Sequence, residues 1–248
     1  MIEVRGINKF FGRHQALHDV SFRAEPGEIV ALMGANGAGK STLFDILATV
    51  DPFFVGEGLV GGYDLRKQVR EVRAHMGYVP GRFSLYADLT VRENLDFFAR
   101  AYNCSPDPIR DLAPGLWDSL KPFSDLRAGN MSGGMKQKLT ILCALVHRPT
   151  VLLLDEPTLG VDPQSRHDVW DALFDLRNKG VTILISTHYI DEAAWAQKVL
   201  FLHQGRKLLW GSPAEVMAQY ENVPLQGPVR HTGERTLEDI FIHVLSTQ

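Results

Sequence analysis

Two short stretches run apolar without a break, Ile29–Met33 and Val151–Leu154, and a third, Val181–Ile185, is interrupted only by Thr182. Successive side chains on a strand point to opposite faces, so an unbroken apolar run of this length predicts a strand buried on both. Helical spacing follows each run. Leu43, Ile46 and Leu47 share a face in Ser41–Ala48, and Val169, Leu173 and Leu176 do so in Ser165–Asn178, where Gly180 suits the C-terminal cap. A shorter helix is expected at Asp191–Ala196. Met1–Arg5 and Val20–Ala24 alternate, Pro26-Gly27 marks a turn, and Val199–His203 with Lys207–Trp210 reads as a hairpin turning at Gln204-Gly205. Strands alternating with helices imply an α/β protein with a mostly parallel sheet and helices on both faces.

The middle of the chain, about Arg82–Val146, reads differently. Helical segments around Thr90–Tyr102 and Lys136–Val146 are separated by Pro-, Asp- and Gly-rich loops, which predicts a helical insert in the sheet domain. From about Asn222 polar turn residues lead to a short amphipathic helix carrying Leu237, Ile240, Phe241 and Val244. Trp170 and Phe174, four apart, read as packing, Phe97-Phe98 as core or as part of a partner groove, and Arg66–Arg73 as a solvated helix face.

Composition narrows the function classes. With 26 Lys+Arg against 29 Asp+Glu the net charge is −3, which argues against wholesale nucleic-acid binding. Cys104 and Cys143 are too few and too far apart for a disulfide framework or a zinc site, and two reduced thiols are expected. The opening stretch Met1–His14 is charged, so no targeting segment is expected, and no apolar run approaches the ~18 residues of a membrane span. Any membrane role then needs another chain to supply the spans.

Chemistry concentrates at the ends of the buried runs. Gly34-Ala35-Asn36-Gly37-Ala38-Gly39-Lys40-Ser41, continuing into Thr42, matches G-x-x-x-x-G-K-[ST]. Glycines let several N–H groups face one anion, and the following helix presents its N-terminal dipole. Lys40 would bridge the β- and γ-phosphates and the Ser41 hydroxyl would ligate Mg²⁺. A strand before and a helix after separate such a loop from a chance match. Asp155-Glu156 end the second run, where Asp155 would hold Mg²⁺ through water and Glu156 would orient the attacking water. His188 follows the third run and suits a group sensing the γ-phosphate.

These residues resemble the ATP-binding cassette (ABC) family, of exporter type. Met131-Ser132-Gly133-Gly134-Met135 resembles its LSGGQ signature, Leu159-Gly160-Val161-Asp162 its D-loop, Phe11 its adenine-stacking aromatic and His188 its switch histidine. Tyr78–Leu95, Phe97–Arg100 and Leu237–Leu245 look most like multidrug and antibiotic-efflux cassettes. The resemblance implies a phosphate-loop NTPase (RecA-like) core, an N-terminal antiparallel β subdomain and an inserted α-helical subdomain. It divides one cassette into a core at 1–81 and 148–221, an insert at 82–147 carrying the signature, and a tail at 222–248. It implies ATP and Mg²⁺ as ligands and a head-to-tail pair of cassettes. Each ATP then lies between one phosphate loop and the Ser132, Gly133 and Gly134 of the other chain, with Asp162 nearby. Partners would be integral membrane permease subunits, at the cytoplasmic face of the membrane, and no nucleic acid is expected.

Three positions depart from the pattern. Met131 and Met135 replace the signature's Leu and Gln, which leaves its serine and glycines intact. Gly81 stands where a glutamine usually follows a run like Gly77-Tyr78-Val79-Pro80. That glutamine serves the metal shell and the link to the insert, so slower or less coupled hydrolysis is expected. The competing functions are a soluble cassette ATPase on nucleic acid or ribosomes, whose long insertions or basic linkers are lacking here, and a weakly hydrolysing regulatory cassette.

Overall fold

The computed structural model describes residues 1–82, 84–107, 109–221, Val223 and 236–246. The N-terminal strands are longer than their alternation suggests. β1 (Ile2–Phe11) and β2 (His14–Ala24) form one bulged antiparallel hairpin. β3 (Ile29–Met33) runs into the glycine loop and α1 (Lys40–Leu47). Then come β4 (Val55–Val60), β5 (Tyr63–Asp64), α2 (Val69–His75) and β6 (Met76–Val79). The helices α3 (Val91–Ala101), α4 (Ile109–Leu112), α5 (Pro114–Leu120) and α6 (Gly133–Leu145) lie between β6 and β7 (Val151–Leu154). The chain continues with α7 (Pro163–Asn178), β8 (Thr182–Ser186), α8 (Ile190–Trp195), β9 (Lys198–His203), β10 (Arg206–Gly211), α9 (Pro213–Gln219) and α10 (Leu237–Ser246). The polar stretch expected between Asn222 and the terminal helix lies, apart from Val223, outside the described residues.

Two sheets result. One is antiparallel, in the order β2-β1-β4-β5. The other runs β10-β9-β3-β8-β7-β6, parallel except for its edge strand β10. The apolar runs are central strands, and their alternate residues feed two separate cores. Ile29, Ala31, Leu152, Leu154, Ile183 and Ile185 face the core shared with α3–α7 and α10. Val30, Leu32, Val151, Leu153 and Leu184 face the core under α1 and the antiparallel sheet. Because every position is buried on one side or the other, the sequence shows no alternation there.

Helix ends follow local chemistry. Thr90 caps α3 in a capping box with Glu93, Ser132 caps α6 through the Met135 N–H, and Asp162 caps α7 through the Ser165 N–H. At the β9–β10 turn Gln204 and Gly205 have φ of 45° and 75°, the positive pair a two-residue hairpin turn uses. Trp170 is fully buried and meets Phe174 and Trp195 at 5.7 and 5.3 Å, so the pair reads as packing. Phe98 packs on the core and Phe97 is exposed, edge-on to Tyr86 at 4.5 Å.

Helix α6 is seated on the sheet through Gly77 in β6. A Cβ there would lie 2.4 Å from the Ala144 carbonyl of α6 and 3.0 Å from Leu152. Gly77→Ala therefore forces α6 off the strand and is expected to destabilise the fold by about 1–3 kcal/mol. A denaturant midpoint lowered with an unchanged slope is the expected result, and an unchanged midpoint contradicts this seating.

Candidate functional site

The glycine loop leaves the carboxyl end of β3, where open parallel sheets place their ligands. Its shape depends on close approach. Gly34 has φ of 150°, and a Cβ there would lie 2.3 Å from the Leu202 carbonyl of β9. Gly39, with φ of 101°, precedes α1 and has no side chain to cap it, so the first-turn N–H groups of the helix are left for a ligand. The β9–β10 turn braces the loop from behind, as the Gly205 N–H donates to the Ala38 carbonyl at 3.0 Å. Lys40 is 4% exposed. Its Nζ donates to the Gly34 carbonyl at 2.8 Å and lies 3.4 Å from Glu156 Oε1.

Beside the loop, β7 and β8 end in a bonded network. Ser41 Oγ donates to Asp155 Oδ2 at 2.9 Å, and Ser186 Oγ donates to Asp155 Oδ1 at 2.6 Å. Ser186 Oγ in turn accepts the Glu156 N–H at 2.7 Å. Glu156 has φ of 51°, a left-handed conformation uncommon for a residue with a side chain, and this bond helps to hold it. Its Oε1 lies 2.7 Å from His188 Nε2. A carboxylate only accepts, so that contact needs the hydrogen on Nε2. The structure thus brings Lys40, Ser41, Asp155, Glu156 and His188 into one network across three strand ends. The buried Asp155 and the Ser41 hydroxyl are hard oxygen donors, a set that fits Mg²⁺ with its remaining positions left to water and phosphate.

Asn36, Gly37, Gly39, Lys40, Ser41, Thr42 and Glu156 line a cleft of about 290 Å³ whose far wall is Phe11 with His14 and Ala16. Gly34, Ala35 and Ala38 complete the loop behind it. Phe11 is half exposed, and the Lys9 ammonium sits 4.7 Å from its ring centre. Lys9 is itself buried and pinned by Asp51 at 2.6 Å and the Phe53 carbonyl at 2.7 Å. Ser132, Gly133, Gly134 and Asp162 are not among the residues lining this cleft. They form a second group. Ser132 and Gly133 are exposed at the start of α6, and a Cβ on Gly134 would lie 3.1 Å from Asp162 Oδ2 and 2.2 Å from Ser165 Oγ. The Ser165 N–H and hydroxyl hold the Asp162 carboxyl below the usual carboxylate range. Gly81 borders the acidic network, where a Cβ would lie 3.3 Å from the Asp155 carbonyl and 3.6 Å from its Oδ2.

Several participants have no motif to mark them. Ser186 lies just past the expected Val181–Ile185 run, with nothing in the sequence to single it out, and the structure makes it the last residue of β8. His14 and Ala16 reach the cleft only because β2 turns back beside the loop. Glu192 looks like a surface residue of an amphipathic helix, yet it is fully buried and accepts hydroxyl bonds from Thr158 and Thr187. Burial pushes its carboxyl above the usual range, against those bonds and Arg166.

Residues 17–159 match the ABC transporter family. An Escherichia coli protein named probable multidrug ABC transporter ATP-binding protein is 34% identical over 99% of this chain, which spans only 42% of that relative's length. The Nod factor export ATP-binding protein I of Paraburkholderia xenovorans is 38% identical over 88% of this chain and 72% of its own length. Among solved structures, the ATP-binding subunit of an ABC transporter superposes with a TM-score of 0.86 at 29% identity, over 99% of each chain. A dimeric ATP-binding cassette in a post-hydrolysis state, bound to ADP and phosphate, superposes with a TM-score of 0.75 at 25% identity, over 86% of this chain and 98% of its own. With the glycine loop on β3 and the acidic network on β7 and β8 already placed, the chain belongs to the ABC transporter family, as an ATP-binding cassette.

Proposed function

We propose that this chain binds and hydrolyses ATP and drives export through separate transmembrane subunits. One observation carries the reading: a single Glu156 oxygen lies within reach of both Lys40 and His188, beside a loop whose helix-start N–H groups are uncapped. ATP is the substrate. Its adenine stacks on the open face of Phe11, whose other side is occupied by the Lys9 ammonium. The triphosphate lies along Gly34–Thr42, and Lys40 exchanges its Gly34 carbonyl for β- and γ-phosphate oxygens.

Ser41 and Asp155 would hold Mg²⁺, which supplies charge neutralisation on the phosphate oxygens when bound. Glu156 orients a water in line with the γ-phosphorus. As the water oxygen bonds to phosphorus, its proton passes to the Glu156 carboxylate. The bond from phosphorus to the β–γ bridging oxygen breaks with its electron pair, and ADP and phosphate leave. His188 contacts the γ-phosphate and so reports whether it is still attached.

The second group makes sense in a dimer of cassettes. Ser132 and Gly133 expose backbone N–H groups at the start of a 13-residue helix, an anion site that the partner's ATP would fill. ATP then holds two cassettes together and its hydrolysis releases them. Export is supported by the names of the relatives, a multidrug transporter and a Nod factor exporter. Among the described residues no helix is long and apolar enough to cross a membrane, so on this reading the permease is a separate chain and the cassette works at the cytoplasmic membrane face. The division into a core at 1–81 and 148–221, an insert at 82–147 and a tail at 222–248 is part of the same proposal, the insert carrying cassette closure to the permease.

Lys40→Ala removes a charged hydrogen-bond donor and is expected to weaken Mg-ATP binding roughly tenfold to hundredfold by calorimetry. Unchanged affinity contradicts the loop reading. Glu156→Gln is expected to lower phosphate release by about a hundredfold or more while ATP still binds. With hydrolysis blocked, size-exclusion chromatography in saturating Mg-ATP should show a dimer, and equal phosphate-release rates would sink the assigned base. Gly81→Gln returns a polar side chain beside Asp155. It is expected to raise turnover roughly tenfold, the equivalent of one net hydrogen bond of about 1.4 kcal/mol. An unchanged rate would mean that Gly81 does not limit hydrolysis.

A further inference from the structure

Four residues after His188, on α8, the Glu192 carboxylate is fully buried. Its Oε2 accepts the Thr158 hydroxyl at 3.0 Å and also the Thr187 hydroxyl. Both threonines are buried, and each belongs to a different strand end. Thr158 stands two residues after Glu156 on the segment leaving β7. Thr187 stands immediately before His188 on the segment leaving β8, and its hydroxyl also accepts the Tyr189 N–H at 3.0 Å. The other carboxylate oxygen, Oε1, lies 3.2 Å from Arg166 Nε.

Arg166 is in the second turn of α7, pairs with Asp191 as well, and stacks 4.2 Å over the Tyr189 ring. The stretch Leu159–Asp162 therefore runs between two anchors, Thr158 and Arg166, held by the same side chain. A buried carboxylate is costly to desolvate, and an apolar residue would serve packing as well or better. What an apolar residue lacks is two acceptor lone pairs and a charge, the features that join these three segments.

We propose that Glu192 is the positioning residue of the site: it joins the Thr158 and Thr187 segments so that Glu156 and His188 meet, and it anchors Leu159–Asp162 to the same point. The proposal rests on the ATPase reading above. It separates binding from chemistry, because β3 and β9 shape and brace the glycine loop, whereas Glu192 bonds the segments after β7 and β8 and the start of α7 and touches no loop residue named above.

The test compares wild type with Glu192→Ala, Glu192→Gln and Thr187→Val in the full chain, measuring melting temperature, Mg-ATP affinity by calorimetry and turnover by phosphate release. Glu192→Ala is expected to lower kcat roughly 10–100-fold, the effect of misplacing a catalytic group by about an ångström, with Kd for Mg-ATP changed less than about twofold. Glu192→Gln, whose amide carbonyl still accepts hydroxyl bonds, should recover part of that loss. Thr187→Val should lower kcat in the wild-type background and do nothing further in the Glu192→Ala background, since the two changes cut the same link.

A folded variant set with wild-type kcat overturns the inference, as does a parallel fall in kcat, affinity and melting temperature, which marks a structural residue only. Should Glu192→Ala fail to fold, the nearly isosteric Glu192→Gln and Thr187→Val decide the matter by the same split. Absence of hydrolysis by wild type would overturn the ATPase reading and this inference with it. Hydrolysis by wild type at a rate the variants match would sink the inference alone.

Discussion

The Asp155 carboxylate sits at the junction of three strand ends, and the site is assembled on it. One oxygen takes the Ser41 hydroxyl from the start of α1, the other takes Ser186 from the end of β8, and the residue itself ends β7. Two hydrogen bonds to a buried charge are each stronger than an ordinary one, and losing either leaves part of that charge unsatisfied. The parallel register of β3, β8 and β7 brings the three ends to the same level. The carboxylate then locks them, and through Ser186 it also sets the backbone of Glu156.

This arrangement explains why the acting side chains can be few. Lys40 and His188 converge on one Glu156 oxygen because each follows a strand whose end the sheet has already placed. The strained backbone at Glu156 is local and well supported, the pattern expected where geometry serves chemistry. Glu192 repeats the logic one layer deeper, with a buried carboxylate again binding hydroxyls from adjoining segments. Two carboxylates, Asp155 toward the glycine loop and Glu192 toward α7, bracket Glu156 and His188.

Helix α6 meets the sheet through small contacts with large consequences. Gly77 lets α6 rest on β6, and Gly81, two residues past that strand, lies against Asp155. A displacement of α6 is thus separated from the Asp155 carboxylate by a few residues of chain. Gly134 at the start of α6 packs against Asp162 and Ser165 at the start of α7, so the two helix starts are built as one block.

The central strands were legible because burial on both faces leaves a near-continuous apolar run of four or five residues bounded by turn residues, a length that suits a strand better than a helix. The glycine loop, the Asp155-Glu156 pair and His188 could be picked out as candidates because each is a local sequence of distinctive residue types, and the structure brings Lys40, Ser41, Asp155, Glu156 and His188 together. β4, β5 and β6 were not legible. They are short, β4 and β6 carry glycine, and they exist as strands through pairing with β1, β4 and β7 rather than through their own pattern. Ser186, His14 and Glu192 were hidden for a different reason. Their neighbours come from remote segments of the chain, Asp155 for Ser186, Glu156 for His14 and Thr158 for Glu192, and a buried glutamate on a helix has the same letter as a solvated one. Local sequence determined which groups are available for chemistry; tertiary structure decided which of them touch, because contact between strand ends depends on sheet register and on what burial leaves unpaired.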